Sequence, residues 1–192
     1  PRWPGSMDFD WEHNWNLTCG CIKNVIKKAE ISPEDIAAVS TTCMREGIIL
    51  YDEAGQEIWA CANVDARSTD EVSQLISMAP EMEREIYLQS GQTYALGALP
   101  RLLWVKNKMP EIYERISKLG MFNDWLIYKL SGILEVEPSN GSTTGIFDLQ
   151  KRDWDPSIAA KCGLRTDIFP PVRECGEIAG KVNAKGASES GL

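Results

Sequence analysis

The chain has 192 residues, of which 43% are hydrophobic and 25% charged, and it carries a formal net charge of −8. That length can bury the core of one large domain or of one and a half small ones, and the acidic balance argues against nucleic acid or an anionic membrane as the main partner. No run is long enough for a membrane-spanning helix, and the N-terminus lacks the basic, apolar and small-residue order of a signal peptide, so a cytoplasmic protein is expected.

In chain order, the opening PRWPGSMDFDW is rich in Pro and Gly and predicts irregular structure. A helix follows over residues 10–29, with Asp10 as N-cap and Trp11, Trp15, Cys19, Ile22, Val25, Ile26 and Ala29 on one apolar face. Ser32, Pro33, Glu34 and Asp35 form a capped turn that feeds a strand over residues 36–43. A helix followed by a buried strand is an α/β signature. Residues 47–51 and 56–62 also have strand character and are joined by the turn 52–55. There Asp52 can accept a backbone N–H and Gly55 can supply a positive φ, so the two strands make a hairpin.

Arg45 and Glu46 stand at the base of that hairpin. Neighbouring side chains of an extended strand point to opposite faces, so the two converge on one ligand only where the strand breaks, and Gly47 is the residue expected to break it. An Arg donor beside a Glu acceptor suits a polyhydroxylated ligand. On pattern alone, an ion pair facing water at the strand end is the commoner arrangement and is worth little. Asp65 and Arg67, two apart at the exit of the hairpin, share a face.

Helices are expected over residues 68–78, 81–89, 99–106 and 110–117, with Gly91 ending the second and Trp104 and Tyr113 in the core. Asp124 is expected to cap a helix that closes at Ser131 and Gly132. A strand over residues 133–137 then leads into PSNGSTTG, residues 138–145. This turn has no GxxxxGK[ST] pattern and reads as structural, without a phosphate-binding role. Residues 155–161 predict a short helix, Pro170 and Pro171 a linker, and residues 176–182 a strand, with a domain boundary near residues 169–174. The six cysteines show no CxxC spacing and the chain has one histidine, His13. A zinc cage and a nucleophile–histidine machine are therefore disfavoured, and buried reduced thiols are expected.

Several segments follow one another as in a known family: MREG (44–47), NVDAR (63–67), LPRLLW (99–104), FNDWL (122–126), SNGSTT (139–144), KRDW (151–154) and FPPVRECGEIAG (169–180). Their order and spacing resemble the FGGY family of carbohydrate kinases, and nearly the whole chain is covered. The resemblance implies an α/β fold of actin-like, ribonuclease H-like domains, each a mixed sheet flanked by helices, with the active site in the cleft between two of them. It assigns residues 1–170 to an N-terminal sugar-binding domain whose first strands are missing, and residues 171–192 to a linker and the start of a C-terminal nucleotide-binding domain.

The resemblance further implies that Arg45, Glu46, Asn63 and Asp65 bind a small polyol or sugar-like substrate, with Asp65 and Arg67 on the cleft wall. Asn63 stands where glycerol kinases carry a substrate-packing Trp, and Tyr94 is the one candidate for a second aromatic of those enzymes. The phosphate loop and the catalytic Asp of the family are expected outside this chain. No catalytic or metal-binding residue is therefore assigned within it, and ATP and Mg²⁺ belong to the parent protein. The exposed backbone of residues 36–43 implies self-association. A pentulose or glycerol kinase, or a non-catalytic sugar-binding module on the same fold, are the alternative readings.

Overall fold

Four consecutive apolar residues form the centre of the molecule. Strand β1 (Ile48–Tyr51) is at most 1% exposed at every position. In a strand, successive side chains face opposite ways. Ile48 and Leu50 therefore enter one hydrophobic core, with Trp59, Leu99, Leu102 and Leu119, while Ile49 and Tyr51 enter another, with Trp15, Ala60 and Trp125. The computed structural model describes residues 3–192, so Pro1 and Arg2 of the irregular opening lie outside the described residues.

Strand β2 (Glu57–Cys61) pairs antiparallel with β1. The turn between them is built as the sequence requires: Asp52 Oδ1 accepts from the N–H groups of Ala54 and Gln56, and Gly55 has φ +74°. On the other edge of β1 lies β3 (Lys118–Met121), again antiparallel, giving the order β2-β1-β3. Residues 5–9 run along the outer side of β2, where Phe9 N–H donates to Ala60 O and Ala62 N–H to Met7 O.

Helices flank the sheet. One layer holds α1 (Trp11–Ala29), which starts at the predicted cap with Asp10 Oδ1 accepting from His13 N–H. The others are α2 (Thr69–Met78), α3 (Pro80–Ser90), α4 (Ala98–Lys108), α5 (Pro110–Tyr113), α6 (Phe122–Ser131), α7 (Pro138–Gly141), α8 (Pro156–Lys161) and α9 (Ala184–Ser190). A small hairpin, β4 (Phe147–Asp148) with β5 (Asp153–Trp154), and one parallel bridge, Val136 to Val172, complete the pairing.

Several expectations are corrected. Residues 36–43 are extended but form no strand, because both edges of β1 are taken by β2 and β3 and no other ladder among the described residues reaches them. Residues 133–137 contribute only the single bridge at Val136, and residues 176–182 form no strand. The predicted helix over 110–117 stops at Tyr113, and the chain then supplies β3, which has no apolar alternation to announce it. On α1 only Trp15 and Cys19 are buried and Val25 is 64% exposed, so the apolar stripe is covered over its first half alone. Of the six free thiols, Cys21 and Cys175 are exposed. Apart from these corrections, α9 packs onto α1 and α6, with Asn183 N–H donating to Leu130 O at 2.8 Å and Trp15 Nε1 to Glu189 at 2.6 Å.

Gly47 does not break the strand. Its φ is not in the left-handed region, but a Cβ there would lie 2.5 Å from Cε2 of Phe122, a ring that also stacks on Phe9. Glycine is required by this close approach. Gly47→Ala should cost about 1–3 kcal/mol, the usual range for overpacking a core, measured by urea denaturation. Combined with Phe122→Ala, the loss should fall short of the sum of the two single losses, because the ring that clashes has been removed. Strict additivity would place the strain elsewhere.

Candidate functional site

The register of the hairpin decides which loops meet. Ile48 pairs with Cys61 and with Met121 at the last rung of the sheet. Carried past that rung, the same register sets Glu46 opposite Asn63, with the first turn of α6 on the other side. The turn at Arg45 and Glu46, the loop at Asn63 and the Asn123 region therefore converge on one end of the sheet.

The break that turns Arg45 and Glu46 out of the strand is at Glu46 itself, with φ +69°. A non-glycine residue in the left-handed region costs of order 1 kcal/mol or more and marks a position that the surrounding structure holds in place. Arg45 is exposed and Glu46 half-buried. No ion pair joins them, and among the described residues neither side chain, nor that of half-buried Asn63, makes a hydrogen bond within the protein. Their polar groups are available to a ligand.

Asp65 and Arg67 are placed differently. Asp65 Oδ2 accepts from Met7 N–H at 2.6 Å and from Arg67 Nε at 2.8 Å, and its Oδ1 accepts from Arg67 N–H. Arg67 also pairs with Asp8 at 2.5 Å, and its guanidinium lies beside the stacked rings of Trp59 and Trp104, 5.1 and 5.0 Å from their centroids. Both oxygens of Asp65 are thus engaged in tying residues 7–8 to the exit of β2. Asp65 still lines, with Asn63, Val72, Leu96 and Arg101, a cavity of about 290 Å³ beside the site. Tyr94 is buried in the larger core, with its hydroxyl donating to Ala79 O at 2.7 Å, and does not reach the site.

Three polar residues that pattern reading did not select complete this end of the sheet. Arg101, on α4, is 2% exposed, and its guanidinium donates through Nη1 to the carbonyl of Glu46 and through Nη2 to that of Asn63, the latter at 2.9 Å. An arginine inside the apolar run ALPRLLWV was the available signal, since a buried cation must find acceptors. Asn123 accepts at its carbonyl from Thr41 Oγ1, and at Oδ1 from Cys43 Sγ, which also reaches Asn140 Oδ1. Burial pushes the Cys43 thiol up. Asp124 is the third residue of α6, one turn inside the expected cap position, and accepts from Met121 N–H at 2.9 Å.

Burial raises the Asp124 carboxyl to about 8 despite that hydrogen bond, and the nearby Glu137 adds to the rise. Glu137 behaves oppositely. Burial pushes it up, but hydrogen bonds from the side chains and N–H groups of Ser139 and Asn140 more than offset this and leave it below the usual range. The SNGSTT turn that follows is occupied with itself: Ser142, Thr143 and Thr144 hydroxyls donate to the carbonyls of Ser139, Asn140 and Gly141. Among the described residues no group of three or more His, Cys, Asp or Glu could hold a metal ion.

The fold is that of sugar kinases. The structure matches xylulose kinase from Rhodospirillum rubrum with a TM-score of 0.88 at 20% identity, over 98% of this chain and 39% of that one. It matches ligand-bound xylulose kinase from Lactobacillus acidophilus with a TM-score of 0.87 at 18% identity, over 98% of this chain and 38% of that one. The chain belongs to the FGGY family of carbohydrate kinases, whose N-terminal domain profile matches residues 2–192. It is 50% identical over 193 aligned residues to autoinducer-2 kinase of Escherichia coli (strain K12), covering 100% of this chain and 36% of that protein. The chain thus spans about a third of the length of that relative.

The Asp124 carboxyl generates a pH dependence. Its folded value of about 8 lies above 3.8, its ordinary value, so the folded state binds the extra proton between the two. Its contribution to stability is fully present below pH 3.8 and is lost as pH rises through about 8. Between about pH 5.5 and 8, stability should fall with a slope of up to ~1.4 kcal/mol per pH unit, read from urea midpoints. Asp124→Asn keeps the acceptor for Met121 and should flatten the slope. A flat wild-type profile would mean that the carboxyl is ionised throughout.

Proposed function

We propose that this chain is the substrate-orienting part of an ATP-dependent carbohydrate kinase, whose full-length parent phosphorylates a primary hydroxyl of a small polyhydroxylated carbonyl compound. Within that class, the linear autoinducer-2 precursor is the preferred substrate. Identity of 50% to an autoinducer-2 kinase along the whole chain supports this choice, against 18 to 20% to the two xylulose kinases. The observation that carries the reading is the convergence of Arg45, Glu46 and Asn63 at one sheet end, with side chains that have no partners among the described residues. Arg donates only, ionised Glu accepts only, and the Asn amide does both, which together match hydroxyl and carbonyl groups of a polyol-like ligand.

The role of these residues is binding and orientation. Arg45 and Glu46 would fix the hydroxyl pattern, and Asn63 would offer the carbonyl end a small, hydrated polar contact. Asp65 would hold the loop that carries Asn63. ATP and Mg²⁺ are assigned to the parent, in keeping with the family to which the chain belongs.

In the full-length parent, Arg45→Ala and Glu46→Gln should each lower kcat/KM by roughly ten- to a hundredfold, the equivalent of about 1.5–3 kcal/mol for a hydrogen bond to a charged group. The melting temperature should stay at the wild-type value, since neither side chain supports the fold. The losses should not add, because one ligand is held by both residues. Wild-type kinetics in both variants would return the pair to the status of surface charges.

A further inference from the structure

Arg101 is buried without a carboxylate. The residue is 2% exposed, its guanidinium has two hydrogen-bond partners, both backbone carbonyls, and no acidic side chain lies within ion-pair distance among the described residues. Arg67, at the exit of β2, shows the usual solution, with Asp65 and Asp8 as counter-charges. Removing a cation from water without a counter-ion is costly. A guanidinium in that position must be compensated by what it holds, and the identity of its two acceptors indicates what that is.

The acceptors are Glu46 O and Asn63 O, 55 and 38 residues away in sequence, which the register of the β1–β2 ladder, continued two residues past its last rung, sets opposite one another. Their own backbone hydrogen bonding has ended there. The planar guanidinium fork replaces the missing rungs with donors at a fixed spacing, and so sets both the separation of the two loops and the direction of each carbonyl. At Glu46 the peptide is also held at φ +69°. A bond to its carbonyl opposes relaxation of that backbone into the extended region, where the side chain would turn away. Arg101 itself is carried by α4, whose buried residues Leu99, Leu102, Leu103 and Trp104 anchor it in the larger core.

We infer that Arg101 is the positioning residue of the substrate site: it aligns Glu46 with Asn63 by clamping their carbonyls. This rests on the reading of Arg45, Glu46 and Asn63 as the substrate-binding set. Lysine keeps the charge but, with a single nitrogen, cannot hold two carbonyls in the fork geometry.

The test uses the full-length parent with the linear autoinducer-2 precursor as substrate and three variants, Arg101→Lys, Arg45→Ala and the double variant. Arg101→Lys should raise KM roughly tenfold or more, with a smaller change in kcat, and its effect should shrink severalfold when Arg45 is already absent. A clamp of purely structural importance would lower the melting temperature and leave KM unchanged in the folded enzyme, and that result overturns the inference. If Arg45→Ala itself has wild-type KM, the substrate-site reading fails first; if Arg45→Ala raises KM and folded Arg101→Lys does not, only the clamp fails. A second measurement needs no variant. With arginine labelled at the guanidinium nitrogens, the Arg101 Nη protons of the wild-type protein should exchange slowly and shift on saturation with substrate, and their insensitivity to substrate would also overturn the inference.

Discussion

The burial of β1 on both faces is the constraint on which the rest of the structure depends. Its four side chains alternate between two cores that lie on opposite sides of the sheet. Fully burying each large apolar side chain is worth about 1.5–3 kcal/mol. A slip of one residue would exchange the two sets and send Ile49 and Tyr51 into space shaped for Ile48 and Leu50. The register is therefore fixed, and with it the position of every loop at the end of the sheet. Glu46 faces Asn63, and α6 begins beside them, because Ile48 faces both Cys61 and Met121.

Polar residues at that end divide by what already binds them. Asp65, Arg67, Asp124 and Glu137 all have internal partners, and each ties one segment to another or caps a helix. Arg45, Glu46 and Asn63 have none among the described residues, although two of them are half-buried. This contrast separates a supporting ring from the set of groups to which we assign the ligand. The supporting ring carries the charges that cost most to bury, which fits a site held rigid before any ligand arrives.

Much of the local structure was legible in the sequence. Asp10 caps α1, Asp52 and Gly55 shape the hairpin turn, and Gly91 ends α3 with φ +73°. Each is a short-range event whose hydrogen bonds close within a few residues, so the residue type alone carries the information. The family was legible too, in the order of segments from MREG to FPPVRECGEIAG. Arg45 and Glu46 were visible as charges at a strand end, and the choice of Glu46 over Gly47 as the break was not. Glycine offered a conformational reason and a packing reason, and only the ring of Phe122 against Gly47 distinguishes them.

What the tertiary structure alone decided are the matters that need a partner distant in sequence. Residues 36–43 have strand composition and β3 does not, yet β3 is the strand, because strand status comes from hydrogen bonds to a neighbour, and β1 offers its free edge to residues 118–121. The same holds for charge. The sequence places Arg67, Arg101 and Arg45 in the chain with equal standing. Folding puts the first beside two tryptophans with two carboxylates as partners, the second under two carbonyls and the third in water. Local sequence determined the turns, the caps and the family signature, since these are satisfied within a few residues. The availability of a polar side chain depends on which donors and acceptors the fold brings within about 3 Å of it, and that is set by the packing of the whole chain.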